Sequence, residues 1–278
     1  MTTKEEVSVL DDGSTSPISF RYLRKFNLTM GILHFVQGIA MVILGFVQPT
    51  LKAFEIPVWT MYNDFVEVAP GTVIPQTVSE QLGIFKYVGP TVGSFLLLSA
   101  IAHLLIAGPL FGYYVKNLKK KMNPIRWFEY ALSSSIMVSF IALLFGVREV
   151  WVLVLIFGAN ALMNLFGHVM EVHNQTTEKT NWLAYIYGWI AGMLPWLVIS
   201  FYFGRAASDA EGMPWFVPVI YVIQFLLFMS FAFNMLLQYK QVGKWKDYLY
   251  GERVYQILSL VAKTLLAWLV FAGALQPG

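Results

Sequence analysis

Long apolar stretches separated by short polar ones dominate the chain. An α-helix needs about 20 predominantly apolar residues to cross a bilayer, and such stretches fall near residues 28–48, 88–114, 126–146, 150–170, 182–203, 215–239 and 254–274. The pattern predicts seven membrane-spanning helices, an all-α bundle. Residues 1–25 are polar, lack the apolar core of a signal peptide and read as a tail without regular structure. Residues 26–278 then form the bundle as one domain. The connection near 49–87 is too long for a simple turn. Within it, Met61–Val68 and Thr72–Ile74 read as two short strands around Ala69-Pro70-Gly71. That predicts an external β-hairpin that caps the bundle or meets another copy.

Composition narrows the chemistry. Of 278 residues, 57% are hydrophobic and 13% charged, against about 25% charged in ordinary soluble domains. Little chain remains for a separate enzymatic domain. The absence of cysteine excludes disulfides, thiol catalysis and thiolate metal sites. Of the four histidines, the two inside spans, His34 and His103, have no third ligand or acidic partner on their helices, and His168 and His173 read as interface residues near a helix end, so no metal site is expected.

Charge gives the orientation. Fourteen of the 19 lysines and arginines fall on the side of the N-terminus, at Lys4, Arg21–Lys25, Lys116–Arg126, Lys179 and Lys240–Arg253. Lys52, Lys86, Arg148 and Arg205 fall on the other side. The positive-inside rule places the N-terminus in the cytoplasm and the C-terminus outside the cell, in a multi-pass protein of the cell membrane. Sorted in the same way, the acids leave only Glu129 near membrane depth and the bases leave only Lys263. Arg126, one turn before Glu129, is expected to reach to the interface.

A lysine at the bilayer centre costs about 2.5–3.5 kcal/mol on insertion scales, so Lys263 requires a partner or a covalent use. One reading is a helix-clamping ion pair with Glu129. The other is a Schiff base: the amine condenses with an aldehyde and the carboxylate holds the iminium charged. Ser259 lies one turn before Lys263 on the same face, and Ser133 one turn after Glu129. Ser134 and Ser135 follow, small residues of the kind that line helix contacts. His34 with Gln37, and Ser99 with His103, make polar patches on two further spans. They point either to a wet cavity that accepts the iminium proton or to plain interhelical hydrogen bonding. Trp127, Phe128 and Tyr130 flank Glu129. Trp196, beside the kink-prone Pro195, could wall a narrow apolar slot completed by Phe228, Met229 and Met163.

Several segments together resemble heliorhodopsins. They are Arg126-Trp127-Phe128-Glu129-Tyr130 with Ser133-Ser134-Ser135, Phe157-Gly158-Ala159-Asn160, Ala191-Gly192-Met193-Leu194-Pro195-Trp196, Gly243-Lys244-Trp245, Gly251-Glu252-Arg253-Val254-Tyr255 and Leu258-Ser259-Leu260-Val261-Ala262-Lys263. The resemblance runs over nearly the whole chain and is most specific in the third and seventh spans. It implies a seven-helix rhodopsin-like bundle, all-trans retinal on Lys263, Glu129 as counterion, a cytoplasmic N-terminus and a homodimer. It also implies that Ser259 contacts the Schiff base. On the same grounds His34, Gln37, Ser99, His103 and Asn123 form a cytoplasmic-side polar network, and Asn160, Met163, Trp196, Phe225 and Phe228 face the pocket.

A light-driven pump of the bacteriorhodopsin type needs carboxylates on both sides of the Schiff base. Its third-helix spacing of 0, +4 and +11 falls here on Glu129, Ser133 and Phe140, so the donor position is a phenylalanine. The expected function is therefore light sensing with a slow photocycle. The signal would pass to an unnamed cytoplasmic partner, with the lipid bilayer and retinal as the other partners; nothing points to nucleic acid or to an enzymatic reaction. The alternative is a light-gated proton or ion pathway.

Overall fold

The computed structural model describes residues 7–209 and 213–274; Lys4 and Glu211 lie outside them. Among the described residues seven helices are long and apolar enough to cross a membrane. They are α1 (Phe20–Val47), α3 (Val88–Ala107), α5 (Pro124–Leu144), α6 (Val150–His173), α7 (Leu183–Asp209), α8 (Phe216–Tyr239) and α9 (Tyr248–Ala274). Between them lie two short helices, α2 (Pro49–Lys52) and α4 (Phe111–Lys119), and two hairpins, β1–β2 (Ser8–Val9, Thr15–Ser16) and β3–β4 (Ile56–Ala69, Thr72–Phe85). The expected seven-helix bundle with a hairpin between the first two spans is what the chain forms.

Helix starts follow local chemistry. Ser19 caps α1 by accepting from Tyr22 N–H. Asn123 caps α5 by accepting from Arg126 N–H, with Pro124 at the first helical position. Glu149 caps α6 by accepting from Val152 N–H. Each side chain satisfies a backbone donor that has no intrahelical acceptor. α1 begins at Phe20, inside the stretch assigned to the tail, because hydropathy excludes Arg21, Arg24 and Lys25 while the cap does not. The second predicted span is broken at Gly108–Leu110 into α3 and α4.

In lipid, helices gain little from excluding apolar surface and associate by close packing of small residues. α1 and α3 meet in this way. A Cβ on Gly89 would lie 2.4 Å from Gly45 Cα, and one on Gly38 would lie 2.8 Å from Leu97, so side chains at these positions would force the helices apart. The main core, including Met137, Ile141, Trp196, Ile199 and Leu266, fills the half of the bundle towards β3–β4.

Two expectations about the connections are corrected. The tail is not structureless from residue 7 onward: Leu10 packs with Leu23, Tyr114, Leu118 and Leu249, and Ser16 Oγ donates to Asp247 Oδ2 at 2.6 Å. Lys121 pairs with Asp12, and this bond with that from Ser14 holds the Asp12 carboxyl at about 2. The outer strands are also longer than expected, 14 residues each, because β-pairing continues through segments whose two faces are both exposed and so show no alternation. Pro70-Gly71, with Gly71 at φ +74, closes the turn as Pro at i+1 and Gly at i+2 of a type II turn would. The hairpin is seated only at its base, where Trp59 N–H donates to Arg148 C=O at 2.9 Å and Ile56 is buried. Along its outer length it is exposed and does not cap the bundle.

Candidate functional site

α5 and α9 bring Glu129 and Lys263 together. Lys263 Nζ donates to Glu129 Oε1 at 3.0 Å and to Ser259 Oγ at 3.0 Å. Both charged side chains are nearly excluded from solvent, at 4% and 8% exposure. Ser99 on α3 donates to the same Glu129 oxygen at 2.6 Å, and the ammonium lies 5.2 Å from the Tyr130 ring centroid, over its face. Ser133 is fully buried one turn along from Glu129. The helical offset of four residues from Ser259 to Lys263 and from Glu129 to Ser133 puts each pair on one face.

A slot opens beside the amine, lined by Tyr130, Ser134, Met137, Met163, Asn164, Phe228, Phe231, Ser259, Ala262 and Lys263. It shares Met163, Asn164, Phe228 and Phe231 with a second space that continues between α6, α7 and α8 past Gly167, Tyr185, Gly188, Trp189, Gly192 and Met229. The two form one elongated, mostly apolar passage with an amine at one end. A Cβ on Gly192 would meet Met163 Sδ at 2.4 Å, so glycine there leaves Met163 its place in the wall.

Of the residues expected at the site, Lys263, Glu129, Ser259, Tyr130, Ser133, Ser134, Met163, Phe228 and Met229 lie at the pair or along the passage. Asn160 sits one layer behind, donating to Ser134 Oγ at 2.7 Å and Ser135 Oγ at 3.0 Å. Ser134 and Ser135 therefore anchor α6 as well as packing it. Pro195, Trp196 and Phe225 do not line the open space. Trp196 stands behind Phe228, with ring centroids 5.3 Å apart, and is equally close to Phe225. Met137, Asn164, Phe231 and Ala262 were not anticipated. Each lies three or four residues from, or next to, a residue that was, so helical spacing carried the signal.

On the tail side, His34 stacks on His103 at 5.6 Å between ring centroids. His103 Nδ1 lies 2.8 Å from Asn27 Oδ1, and Asn27 Nδ2 reaches Tyr114 at 3.5 Å. Tyr114 in turn donates to Glu252 at 3.2 Å. Gln37 stands apart, bonded to Trp268 at the lipid-facing seam of α1 and α9.

Among the described residues, Lys263 and Glu129 are not the only buried charges. Arg126 is 4% exposed and does not reach to the interface; it pairs with both Glu171 and Glu252. Asn123 N–H and Trp127 Nε1–H donate to Glu171 at 2.8 and 2.7 Å, and Asn123 Nδ2 donates to Glu252 at 2.8 Å. The guanidinium lies over the Tyr255 and Trp127 rings at 4.0 and 4.6 Å.

No curated protein matches the chain. The family model described as heliorhodopsin matches residues 23–275, a span that takes in six of the membrane helices whole and α1 from Leu23 on, with the Lys263–Glu129 pair and the passage beside it. The chain belongs to the heliorhodopsin family, and is a retinal-binding, light-sensing membrane protein.

Proposed function

We propose that all-trans retinal is held covalently on Lys263 as a protonated Schiff base with Glu129 as counterion, and that the protein signals light and does not pump ions. The carrying observation is the buried amine 3.0 Å from a buried carboxylate, lining a mostly apolar slot. The residues fit the group: an amine to condense with the aldehyde, losing water, and apolar walls for the polyene. Retinal supplies light absorption and a change of shape on isomerisation. Glu129 holds the positive charge in place, Ser99 and Ser259 fix the two ends of that contact, and Phe228, backed by Trp196, bounds the slot.

Neutralising the counterion tests its part. Glu129→Gln is expected to move the visible band to longer wavelength, because a fixed negative charge near the nitrogen stabilises the ground state in which positive charge is localised there. An absorption spectrum of the variant that matches the unsubstituted protein would put the counterion elsewhere.

Pumping would need a second free carboxylate beside the path. Glu171 and Glu252 are internal, but both are engaged by Arg126, which leaves Glu129 as the acid at the amine. A light-gated proton pathway is the second reading. It is favoured by the hydrogen-bonded series from His103 through Asn27 and Tyr114 to Glu252. Voltage-clamp recording under illumination separates the two. No photocurrent above that of untransfected cells is expected, and a reproducible current would overturn the sensing-only reading.

The charge asymmetry supports a cytoplasmic N-terminus, with the tail side facing the signalling partner. The exposed apolar residues of β3–β4, among them Phe65, Val68, Val73 and Leu82, support a homodimer contact, since an exposed strand pair of this kind invites burial.

A further inference from the structure

On the tail side an open cleft of roughly 560 Å³ lies between β1, the first turns of α1 and α4. Arg21, Arg24 and Lys119 line it together with Val9, Phe111 and Val115. No acidic side chain among the described residues lines it. Arg24 is oriented by its Nε, which donates to Ala107 C=O at 2.7 Å, and its guanidinium lies 5.0 Å from the Phe111 ring centroid. Its terminal nitrogens make no hydrogen bond among the described residues. Among the described residues three cations thus line one cleft with no acid beside them, and one of them is already held in place.

Depth identifies the occupant. The outward apolar surface of α1 begins at Leu28, 46% exposed, and continues through Ile32, Phe35 and Val36. Arg24 is one helical turn before Leu28, about 6 Å along the axis, which puts the cation cluster at headgroup level. Val9, 55% exposed, and the half-buried Phe111 and Val115 form an apolar flank that a soluble anion would not use. We infer that this cleft binds the phosphate headgroup of an anionic phospholipid from the tail-side leaflet, with Arg21, Arg24 and Lys119 on the phosphate and the lipid's apolar part along Phe111 and Val115. Juxtamembrane basic residues gain about 1 kcal/mol each from an anionic leaflet without any specific geometry. Guanidinium groups add paired hydrogen bonds to phosphate oxygens, so a built cleft should discriminate beyond charge.

Native mass spectrometry of the full chain, equilibrated with equal amounts of phosphatidylglycerol and phosphatidylcholine, tests this. The unsubstituted protein is expected to retain one phosphatidylglycerol with at least a fivefold preference. Arg21→Gln/Lys119→Gln should reduce that preference to under twofold, and Arg21→Lys/Lys119→Arg should keep it. Lys240→Gln/Lys244→Gln removes the same charge from the same side outside the cleft and should leave the preference unchanged. Equal loss in both glutamine variants, or loss in neither, would overturn the proposal. So would displacement of the lipid by 10 mM inorganic phosphate (~10 mM being well above its concentration in the sample), which would make the cleft a site for soluble anions.

Discussion

Replacing Lys263 with alanine is expected to give a protein with no visible absorption band after expression with all-trans retinal. Among the described residues Lys263 is the only lysine lining the passage, so without it no covalent, charged chromophore is expected to form there, and the loss should be complete. The same change leaves Glu129 buried with Ser99 as its remaining donor. Removing one partner of a buried ion pair costs about 3–5 kcal/mol, so a colourless sample could be a misfolded one. Lys263→Ala/Glu129→Gln removes that complication, since a neutral amide has no charge to compensate. The double variant should unfold at a higher temperature than Lys263→Ala and still be colourless. A coloured Lys263→Ala protein would end the assignment of Lys263.

Why the pair was legible while its neighbours were not follows from where each charge sits along its helix. Lys263 lies within an uninterrupted apolar run and Glu129 lies a turn and a half inside α5, so each is conspicuous by hydropathy alone. Arg126, Glu171 and Glu252 lie near the tail-side ends of α5, α6 and α9, where a charge on one helix ordinarily meets headgroups and water. Their burial is decided by three helix ends converging, a property of the packing that no single segment carries. The tail shows the same limit. Val7-Ser8-Val9-Leu10 is too short an apolar cluster to predict order, and the contact of Leu10 with α1, α4 and α9, with the Ser16 and Asp12 bonds, holds the segment.

The edges of the passage were legible in another way. The resemblance places Trp196 and Phe225 at the pocket; in the structure Trp196 packs on both Phe225 and Phe228, and Phe228 is the one of the three that lines the open slot. Gly188 and Gly192, which do line it, offer no side chain for a pattern to detect. A slot is shaped as much by what is small as by what is large, and only the close approach of Met163 to Gly192 reveals the glycine's part.

The second large effect is expected at Arg126. Arg126→Ala should destabilise the folded protein by about 3–5 kcal/mol, the range for breaking a buried ion pair, measurable as a lowered midpoint of thermal unfolding by circular dichroism. The reason is less the lost attraction than what remains: two carboxylates, 1–2% exposed, both held by Asn123 at the start of α5 with no cation between them. Hydrogen bonds from Asn123, Trp127 and Tyr248 to Glu171 stabilise one such charge but do not separate it from the other. Arg126→Ala/Glu252→Gln should therefore recover part of the loss, a coupling of at least ~1 kcal/mol of the size seen for residues in one network. Lysine in place of Arg126 should rescue poorly, because a single ammonium cannot match the fork that spans both acids or stack on Tyr255 and Trp127. A loss below ~1 kcal/mol for Arg126→Ala, typical of an exposed pair, would show that the cluster is solvated in the membrane and contributes little to holding the tail-side ends of α5, α6 and α9 together.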